Sequence, residues 1–247
     1  MLEIDFAKDS KTYALYQELK DDLAEVQVQE GVELKLSFQD KVSLSFQDKS
    51  FNPLCLDFVS GATSSRLFKG GAKEAVVKAV LGKHNLKSDG PLRVFDVTAG
   101  LGRDSFILAK AGVKVTMFER NAVVYALLKD ALLRAQVLDT QLPLPTLAPL
   151  GSYLAQALYY QNPEVIYYDP MFPAKKKSAQ VRKEMQYFHA LVGFDDDVLE
   201  NLAFFLDHAL KKVVLKRPKE APLLEVSGRK ISYSLDGGVC CFDCYVN

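Results

Sequence analysis

The alternation of apolar and polar residues separates an amino-terminal part of the chain from a longer part with a different pattern. Apolar residues recur at helical spacing from residue 12 to about residue 26, which predicts an amphipathic helix. The sequence LSFQDK then occurs twice, at residues 36–41 and again at residues 44–49. Both copies alternate apolar and polar side chains, as half-buried strands of a hairpin or meander do. The pattern predicts a small subdomain, a helix plus a β-hairpin, over residues 1–56.

From residue 57 onward, short apolar runs alternate with helical patterns, which is typical of a mainly parallel sheet. The predicted strands begin at Val94, Val113, Val165 and Lys212, with a short one between residues 138 and 150, and the predicted helices cover residues 72–82, 104–111, 122–136, 153–160 and 195–210. The last two predicted strands flank Asp-Gly-Gly and form a closing antiparallel hairpin. Residues 57–247 therefore predict an α/β domain of the Rossmann-like class I methyltransferase type, with a mainly parallel seven-stranded sheet that ends in this hairpin.

Composition and charge limit the kinds of partner that this protein can bind. The 247 residues, 49% of them hydrophobic, suffice for one α/β domain with an appendage. Because 31 Lys and Arg residues balance 31 Asp and Glu residues, RNA contacts have to come from local basic patches. No apolar run approaches the length of a membrane span, and the amino terminus lacks the features of a signal peptide. We therefore expect a soluble, cytoplasmic protein with no membrane partner.

A run of cysteines near the carboxyl terminus resembles a metal or redox cluster. Cys240, Cys241 and Cys244 all lie in the last predicted strand, however. No second cysteine pair or nearby histidine completes a zinc-binding set. The spacing therefore predicts reduced thiols and no metal site.

A glycine turn follows the first strand of the predicted main sheet. Asp96 ends that strand, and Gly100 and Gly102 permit positive φ and close approach of the backbone to a ligand. The helix that begins near Asp104 offers unpaired N–H groups. Glu119 follows the next strand, about twenty residues on, where an acid can bind a ribose diol. The arrangement predicts a site for a nucleoside cofactor, although a Rossmann-like turn without a ligand has the same pattern.

Two nucleoside cofactors could use this site. A dinucleotide fold usually has a third glycine where this chain has Ser105, and it rarely has an acid at the position of Asp96. A methyl-donor site needs no pyrophosphate cradle, and carboxylates near a sulfonium cation stabilise it. Asp96, Asp104 and Glu119 therefore favour S-adenosylmethionine over NAD.

The tetrapeptide Asp169-Pro170-Met171-Phe172 comes directly after the buried strand 165–168. The carboxylate of Asp169 and the carbonyl of Pro170 can accept hydrogen bonds from an exocyclic amine, and the ring of Phe172 can stack on its heterocycle. Asp-Pro is also an ordinary turn opener. The functional interpretation of this tetrapeptide therefore depends on the glycine turn upstream, because that turn predicts a methyl donor bound beside an amine-binding pocket.

Basic residues lie near this tetrapeptide in the sequence and at the end of the next strand. They are Lys175, Lys176, Lys177, Arg182 and Lys183 after the tetrapeptide, and Lys216 and Arg217 at the carboxyl end of the strand that follows. A base within a duplex cannot enter such a pocket, so an RNA target has to be unpaired or flipped out. We expect these side chains to bind the flanking phosphates. A solvated charge run is the alternative interpretation.

Several segments together resemble one family, the bacterial 16S rRNA (guanine-N2) methyltransferase J family. They are DVTAGLGRDSF (residues 96–106), FERN (118–121), YDPMFPAKKKSA (168–179) and VVLKRP (213–218), with DFVSGA (57–62) and FKGGAKEAVVKAV (68–80) upstream. The similarity extends over most of residues 56–218 and is specific, because DPMFP followed by a lysine run is unusual among aminomethyltransferases. The first fifty-odd residues match poorly.

The resemblance implies transfer of a methyl group from S-adenosylmethionine to the exocyclic N2 of one guanosine in 16S rRNA, with the small ribosomal subunit as partner. The sequence does not determine the oligomeric state, and we expect a monomer. The family's cofactor contacts fall on Arg103, Asp104, Glu119, Arg120, Gly151, Ser152 and Asp169. The family usually has two serines where this chain has Gly151 and Ser152. Gly151 departs from that pattern and leaves only its backbone N–H as a contact.

Other functions stay open on the sequence alone. Another aminomethyltransferase, acting on adenine, cytosine or a protein amide, usually has a second proline where this chain has Met171. A non-catalytic module that binds RNA and cofactor would not need Asp169 and Phe172. An NAD oxidoreductase would lack the terminal hairpin and would not have Ser105 in the glycine turn.

Overall fold

A computed structural model describes residues 1–47, 52–59, 74–139, 141–172 and 183–247. Contacts between Cα atoms divide the chain into two compact units. The first contains Met1–Ser64, Asn121–Leu142 and Pro173–Phe194, and the second contains Ser65–Arg120, Pro143–Phe172 and Asp195–Asn247. Both units combine segments that are distant in the sequence, and a domain boundary near residue 56 stays a prediction.

The structure has the mixed α/β content that the patterning predicts. The strands are β1 (Leu2–Phe6), β2 (Leu34–Phe38), β3 (Val42–Phe46), β4 (Arg93–Asp96), β5 (Lys114–Met117), β6 (Thr146–Leu147), β7 (Val165–Tyr168), β8 (Lys212–Pro218), β9 (Tyr233–Asp236) and β10 (Cys240–Val246). The helices are α1 (Tyr13–Ala24), α2 (Ala75–Leu81), α3 (Arg103–Lys110), α4 (Ala122–Leu138), α5 (Tyr153–Gln156), α6 (Lys183–Leu191) and α7 (Val198–His208), and a 3-10 turn (Ala157–Tyr159) follows α5. In the described part of the chain, no helix is both long and apolar enough to cross a membrane.

The first unit contains a three-stranded sheet in the order β1-β2-β3. The predicted helix and the predicted hairpin are confirmed as α1 and as the antiparallel pair β2 and β3. Strand β1 was not predicted, and it pairs with β2 in parallel. Its residues do alternate apolar and polar side chains, but its partner lies about thirty residues away, and local patterning carries no information on such pairing.

Alternating residues of β2 and β3 form the core of this sheet. Leu34, Leu36 and Phe38 on β2, and Val42 and Leu44 on β3, are completely buried. Lys35, Ser37 and Ser43 between them are partly exposed, as the period of two in a strand requires. The two strands, which include the first residues of both LSFQDK copies, therefore form a hairpin with one buried face.

Asp130 on α4 fastens this helix to the hairpin. Its Oδ2 atom accepts hydrogen bonds from the N–H of Val42 at 3.1 Å and from Nε of Arg134 at 3.0 Å. Arg134 also donates to the carbonyl of Leu56. Because Asp130 is only 4% exposed, its charge depends on these partners.

The second unit contains a seven-stranded sheet in the order β6-β5-β4-β7-β8-β10-β9. The strands from β6 to β8 pair in parallel, and β10 pairs antiparallel with both β8 and β9. The predicted architecture, a mainly parallel seven-stranded sheet closed by an antiparallel hairpin, is confirmed. All four residues of β7 are buried, as expected for a central strand of a parallel sheet.

The register of the central strands determines where the functional side chains lie. Asp96, the last residue of β4, is level with Met117 at the end of β5 and with Tyr167 on β7. Tyr168, the last residue of β7, is level with Leu215 on β8. The residues that follow these strand ends therefore share one edge of the sheet, where ligands bind in open α/β folds.

Several helical predictions differ from the structure. The helix predicted over residues 195–210 is shorter and covers Val198–His208, and the one predicted over residues 153–160 becomes a 3-10 turn after Gln156. Helix α6 has no counterpart among the predicted helices. Tyr187, Ala190 and Leu191 are nevertheless buried at helical spacing, which explains why this segment is helical.

We expect Asp130→Ala to lower the free energy of unfolding by about 3 kcal/mol, because it leaves the N–H of Val42 and the guanidinium of Arg134 without their acceptor. The matched control is Glu18→Ala, which removes an exposed ion pair between Glu18 and Lys129 and should cost less than about 1 kcal/mol. Urea denaturation followed by circular dichroism measures both values. Equal losses in the two variants would contradict this account of α4.

Candidate active site

Asp96 joins the end of β4 to the first turn of α3. Its carboxylate accepts hydrogen bonds from the N–H of Thr98 at 3.2 Å and from Oγ of Ser105 at 2.6 Å. Gly100 and Gly102 between them have φ values of 52° and 69°, which glycine adopts without strain. Ser105, which distinguishes this turn from a dinucleotide turn, thus holds Asp96 in place. Burial raises the pKa of Asp96 to about 7, although these two hydrogen bonds act to lower it.

Glu119 binds the same glycine turn from the neighbouring strand. Its Oε2 atom accepts a hydrogen bond from the N–H of Gly100 at 2.9 Å, and the residue is 8% exposed. Its backbone carbonyl accepts a hydrogen bond from the N–H of Gly151, also at 2.9 Å. Glu119 therefore lies next to both the glycine turn and Gly151.

The structure corrects one expectation for Gly151. Its N–H was expected to be available for a cofactor, but that group donates a hydrogen bond to the carbonyl of Glu119. Gly151 has a φ of 136°, and a Cβ atom there would lie 2.9 Å from Nε2 of Gln156. A serine at this position would therefore require Gln156 to move. Ser152 accepts a hydrogen bond from the N–H of Ala155 at 3.3 Å and so caps α5.

Arg103 and Arg120 occupy different surroundings. Arg103 is the first residue of α3 and is half-buried. Arg120 forms ion pairs with Asp195 and, at 3.1 Å, with Asp197. Its guanidinium group therefore connects the end of β5 to the segment before α7, a role that the sequence did not indicate.

Asp195 anchors the tetrapeptide that follows β7. Its Oδ2 atom accepts a hydrogen bond from the N–H of Met171 at 2.7 Å, and its own N–H donates to the carbonyl of Met171 at 3.0 Å. Asp195 is not among the residues predicted from the sequence, because nothing in its local pattern connects it to a residue 24 positions earlier. Together with the Arg120 ion pair, this double hydrogen bond restrains the acceptor loop.

The proposed amine pocket lies directly beside the glycine turn. The N–H of Asp169 donates to Oγ1 of Thr98 at 2.7 Å. The carbonyl of Pro170 accepts the N–H of Phe172 at 3.1 Å, so one of its two lone pairs is used within the loop. The ring of Phe172 packs against the apolar cluster of the second unit and remains partly exposed.

Lys216 lies within the carboxylate cluster. Its Nζ atom is 2.8 Å from Oδ2 of Asp104 and 2.8 Å from Oδ2 of Asp169. The hydroxyl of Tyr167 donates to the same atom of Asp104 at 2.6 Å. Burial opposes the charge on Lys216, but the two carboxylates outweigh it and hold its pKa well above the usual value. Burial raises the pKa of Asp169, and Lys216 limits that rise.

The buried position of Arg217 corrects the prediction that it binds phosphate. Arg217 is 5% exposed and forms an ion pair with the completely buried Asp243 on β10. Its Nη1 atom also donates to the carbonyls of Pro218, Lys219 and Ala221. These contacts fasten the carboxyl end of β8 to its antiparallel neighbour. The guanidinium group is therefore structural.

The other predicted RNA contacts are not all described. Lys175, Lys176, Lys177 and Arg182 lie outside the described residues. Lys183 is the first residue of α6, in the first compact unit.

The acidic side chains at this edge of the sheet suit a cationic nucleoside cofactor. The carboxylates of Asp96, Asp104, Glu119 and Asp169 can accept hydrogen bonds from ammonium and ribose hydroxyl groups and can stabilise a sulfonium cation by charge, and S-adenosylmethionine carries all three groups. Within the described ranges, no group of three or more His, Cys, Asp or Glu residues could hold a metal ion.

Comparisons with known proteins relate this site to methyltransferases. A family model described as "Putative SAM-dependent methyltransferase" matches residues 19–247. A protein of Hahella chejuensis named ribosomal RNA small subunit methyltransferase J is 41% identical over 215 residues, which cover 85% of this chain and 79% of that protein. A protein of the same name from Pseudomonas aeruginosa is 40% identical over 230 residues, covering 91% of this chain and 84% of that protein.

A solved structure has the same fold. The crystal structure of a SAM-dependent methyltransferase from Neisseria gonorrhoeae superposes with a TM-score of 0.67 and 25% sequence identity, covering 99% of this chain and 95% of that chain. The class I methyltransferase fold predicted from the sequence is confirmed by this match and by the strand order. S-adenosylmethionine is accordingly the cofactor of this fold.

We expect the stability of the protein to fall with rising pH through Asp96. Its pKa is about 7 when folded and about 3.9 in an unfolded chain, so between these values only the folded state keeps the proton. The free energy of unfolding should therefore decrease by up to about 1.4 kcal/mol per pH unit from this group. Asp96→Asn removes that contribution, because asparagine resembles the neutral acid and does not titrate.

Urea denaturation of both proteins across this pH range measures the effect. The stability of the wild type should decline relative to that of the variant as the pH rises. Stability curves that stay parallel between the two proteins would contradict the account of Asp96.

Proposed function

This chain belongs to the ribosomal RNA small subunit methyltransferase J family, and from that premise we propose that it methylates the exocyclic N2 of a guanosine in 16S rRNA. The observation that carries the proposal is the hydrogen bond from Asp169 N–H to Thr98 Oγ1 at 2.7 Å. It joins an acid suited to bind an amine to the turn suited to bind a methyl donor. Donor and acceptor sites are then neighbours at one sheet edge.

We assign the cofactor contacts to the residues around the glycine turn. Glu119 accepts hydrogen bonds from the ribose hydroxyls, and Asp104 and Asp169 face the cationic part of the cofactor. Asp96 holds the glycine turn in place through its hydrogen bonds with Thr98 and Ser105. The remaining contacts that we assign to the cofactor come from the backbone of Gly100 and Gly102 and from Arg103, Arg120 and Ser152.

S-adenosylmethionine supplies a methyl group on a sulfonium sulfur, which leaves as a neutral thioether. The acceptor nitrogen is a poor nucleophile, because the guanine ring delocalises its lone pair. Asp169 and the carbonyl of Pro170 accept hydrogen bonds from the amine, which favours a pyramidal nitrogen with its lone pair directed at the methyl carbon. Asp169 also stabilises the positive charge that develops on nitrogen. The methylated amine then releases a proton to solvent.

The remaining acceleration comes from positioning, which contributes on the order of 7–11 kcal/mol in well-oriented systems. The contacts of Asp195 and Thr98 with the tetrapeptide support such pre-organisation, because they restrain its backbone on both sides of Pro170. The ring of Phe172 provides a stacking surface for the guanine.

The acceptor guanosine has to leave its stack to reach this pocket. We assign the flanking phosphates to Lys175, Lys176, Lys177, Arg182 and Lys183. We propose further that residues 1–56 form a separate subdomain, that the enzyme acts as a monomer on the small subunit, and that it works in the cytoplasm.

A second candidate is methylation of another amine, such as that of adenine, cytosine or a protein amide. Met171 argues against it, because pockets of that kind usually have proline there. The N–H of Met171 donates to Asp195 at 2.7 Å, and a proline at this position could not form that hydrogen bond, because it has no N–H.

Incubation with labelled S-adenosylmethionine and unmodified small subunits, followed by nucleoside analysis, tests the proposal. We expect label on guanine N2 with the wild type, and a decrease on the order of a hundredfold or more with Asp169→Ala, because the developing charge loses its carboxylate. The control is Asp207→Ala, which removes an exposed acid paired with Arg229 and should leave methylation unchanged.

Two results would contradict the proposal. Label on a base or protein other than guanine N2 would favour the second candidate. Undiminished label with Asp169→Ala would exclude this acid from the reaction, provided that the variant is folded by circular dichroism.

A further inference from the structure

We propose that Lys216 is a positioning residue for methyl transfer, whose ammonium group keeps Asp169 ionised and correctly oriented for the acceptor amine. This inference rests on the proposed function. It replaces the expectation that Lys216 binds RNA phosphate.

The first support is geometry. The Nζ atom of Lys216 is 2.8 Å from one carboxylate oxygen of Asp104 and 2.8 Å from one of Asp169. Both distances are those of charge-assisted hydrogen bonds. One ammonium group thus connects the acid in the first turn of α3 to the acid that follows β7.

The second support is the rigidity of the strand that carries Lys216. The residues on either side of it, Leu215 and Arg217, are buried, so Lys216 alone of the three directs its side chain to the other face of β8. Leu215 pairs with Tyr168 on β7, and Arg217 is fastened to Asp243. The strand therefore holds the ammonium group beside Asp169 without a ligand.

The third support is the charge around Asp169. The titratable groups that face it are Lys216, Asp104, Asp195, Asp96, Tyr167 and Cys240. Lys216 is the cation of this set, and the others are acids or neutral groups. Without it, burial and repulsion between the carboxylates favour a proton on one of them.

A protonated Asp169 would be a poor partner for the acceptor amine. It has fewer lone pairs for the amine hydrogens and carries no charge to stabilise the developing cation. Lys216 thereby affects the reaction through Asp169 and does not need to contact the substrate. An RNA contact would act differently, by changing substrate affinity and its salt dependence.

The direct test is titration of the Asp169 side-chain carboxyl by carbon-13 NMR in the free protein, with Asp169→Asn to assign the resonance. We expect Lys216→Met to raise the pKa of Asp169 by at least about one unit, since an opposite charge at this distance commonly shifts a pKa by 1–3 units. Lys216→Arg should preserve the wild-type value. Lys211→Met, which removes an exposed ion pair with Glu164, is the matched control and should also preserve it.

The second measurement is the pH dependence of kcat/KM for methyl transfer. In Lys216→Met the acid limb should move to higher pH by the same amount as the NMR pKa, and Lys216→Arg should restore it. Lys216→Gln serves as the second neutral variant if the methionine variant does not fold.

Two outcomes overturn the inference. The first is an unchanged Asp169 titration in a folded neutral variant. The second is an unchanged acid limb together with a raised KM for RNA and a smaller salt dependence, which would restore the phosphate contact. A wild-type enzyme that does not methylate guanine N2 would contradict the proposed function, while the NMR titration would still decide whether Lys216 controls Asp169.

Discussion

Repulsion between carboxylates at one edge of a parallel sheet is the constraint on which this site depends. Asp96, Asp104, Glu119 and Asp169 converge there, and each accepts a hydrogen bond from a neutral donor or from a cation. Lys216 is shared between two of them. An edge built in this way remains acidic enough for a cationic cofactor and is stable without one, because backbone N–H groups, hydroxyls and one ammonium satisfy the acids.

The fold supplies these partners through its strand order. Parallel pairing of β5, β4, β7 and β8 places the residues after each strand at a common edge. The antiparallel strand β10 then holds β8 through the buried pair of Arg217 and Asp243. The closing hairpin, which identifies the fold class in the sequence, thus also fixes the strand that carries Lys216. Packing of the sheet and charge in the site are consequences of the same strand arrangement.

Features with a local signature could be predicted from the sequence. The hairpin of the LSFQDK repeat, the glycine turn and the acid after β7 each occupy a few consecutive residues with a distinct pattern. The pairing of β1 with β2 and the anchoring of Met171 by Asp195 join residues far apart in the chain, and no local pattern indicates them. Lys216 and Arg217 are adjacent and both basic, but they point to opposite faces of β8. The sequence predicts RNA binding for both residues, whereas the structure places Lys216 among the carboxylates and buries Arg217.

The central claim is that the acids of this edge bind the methyl donor, and the most direct measurement is the dissociation constant of S-adenosylmethionine by isothermal titration calorimetry. Glu119→Gln keeps the size of the side chain and an acceptor for the N–H of Gly100 but removes the charge that we assign to the ribose contact. The account predicts binding at least about tenfold weaker, since a hydrogen bond to a charged group contributes about 1.5–3 kcal/mol. The exposed Glu225→Gln, which lies in an ion pair with Lys230, should bind like the wild type. An unchanged dissociation constant in Glu119→Gln, or no binding by the wild type, would contradict the account.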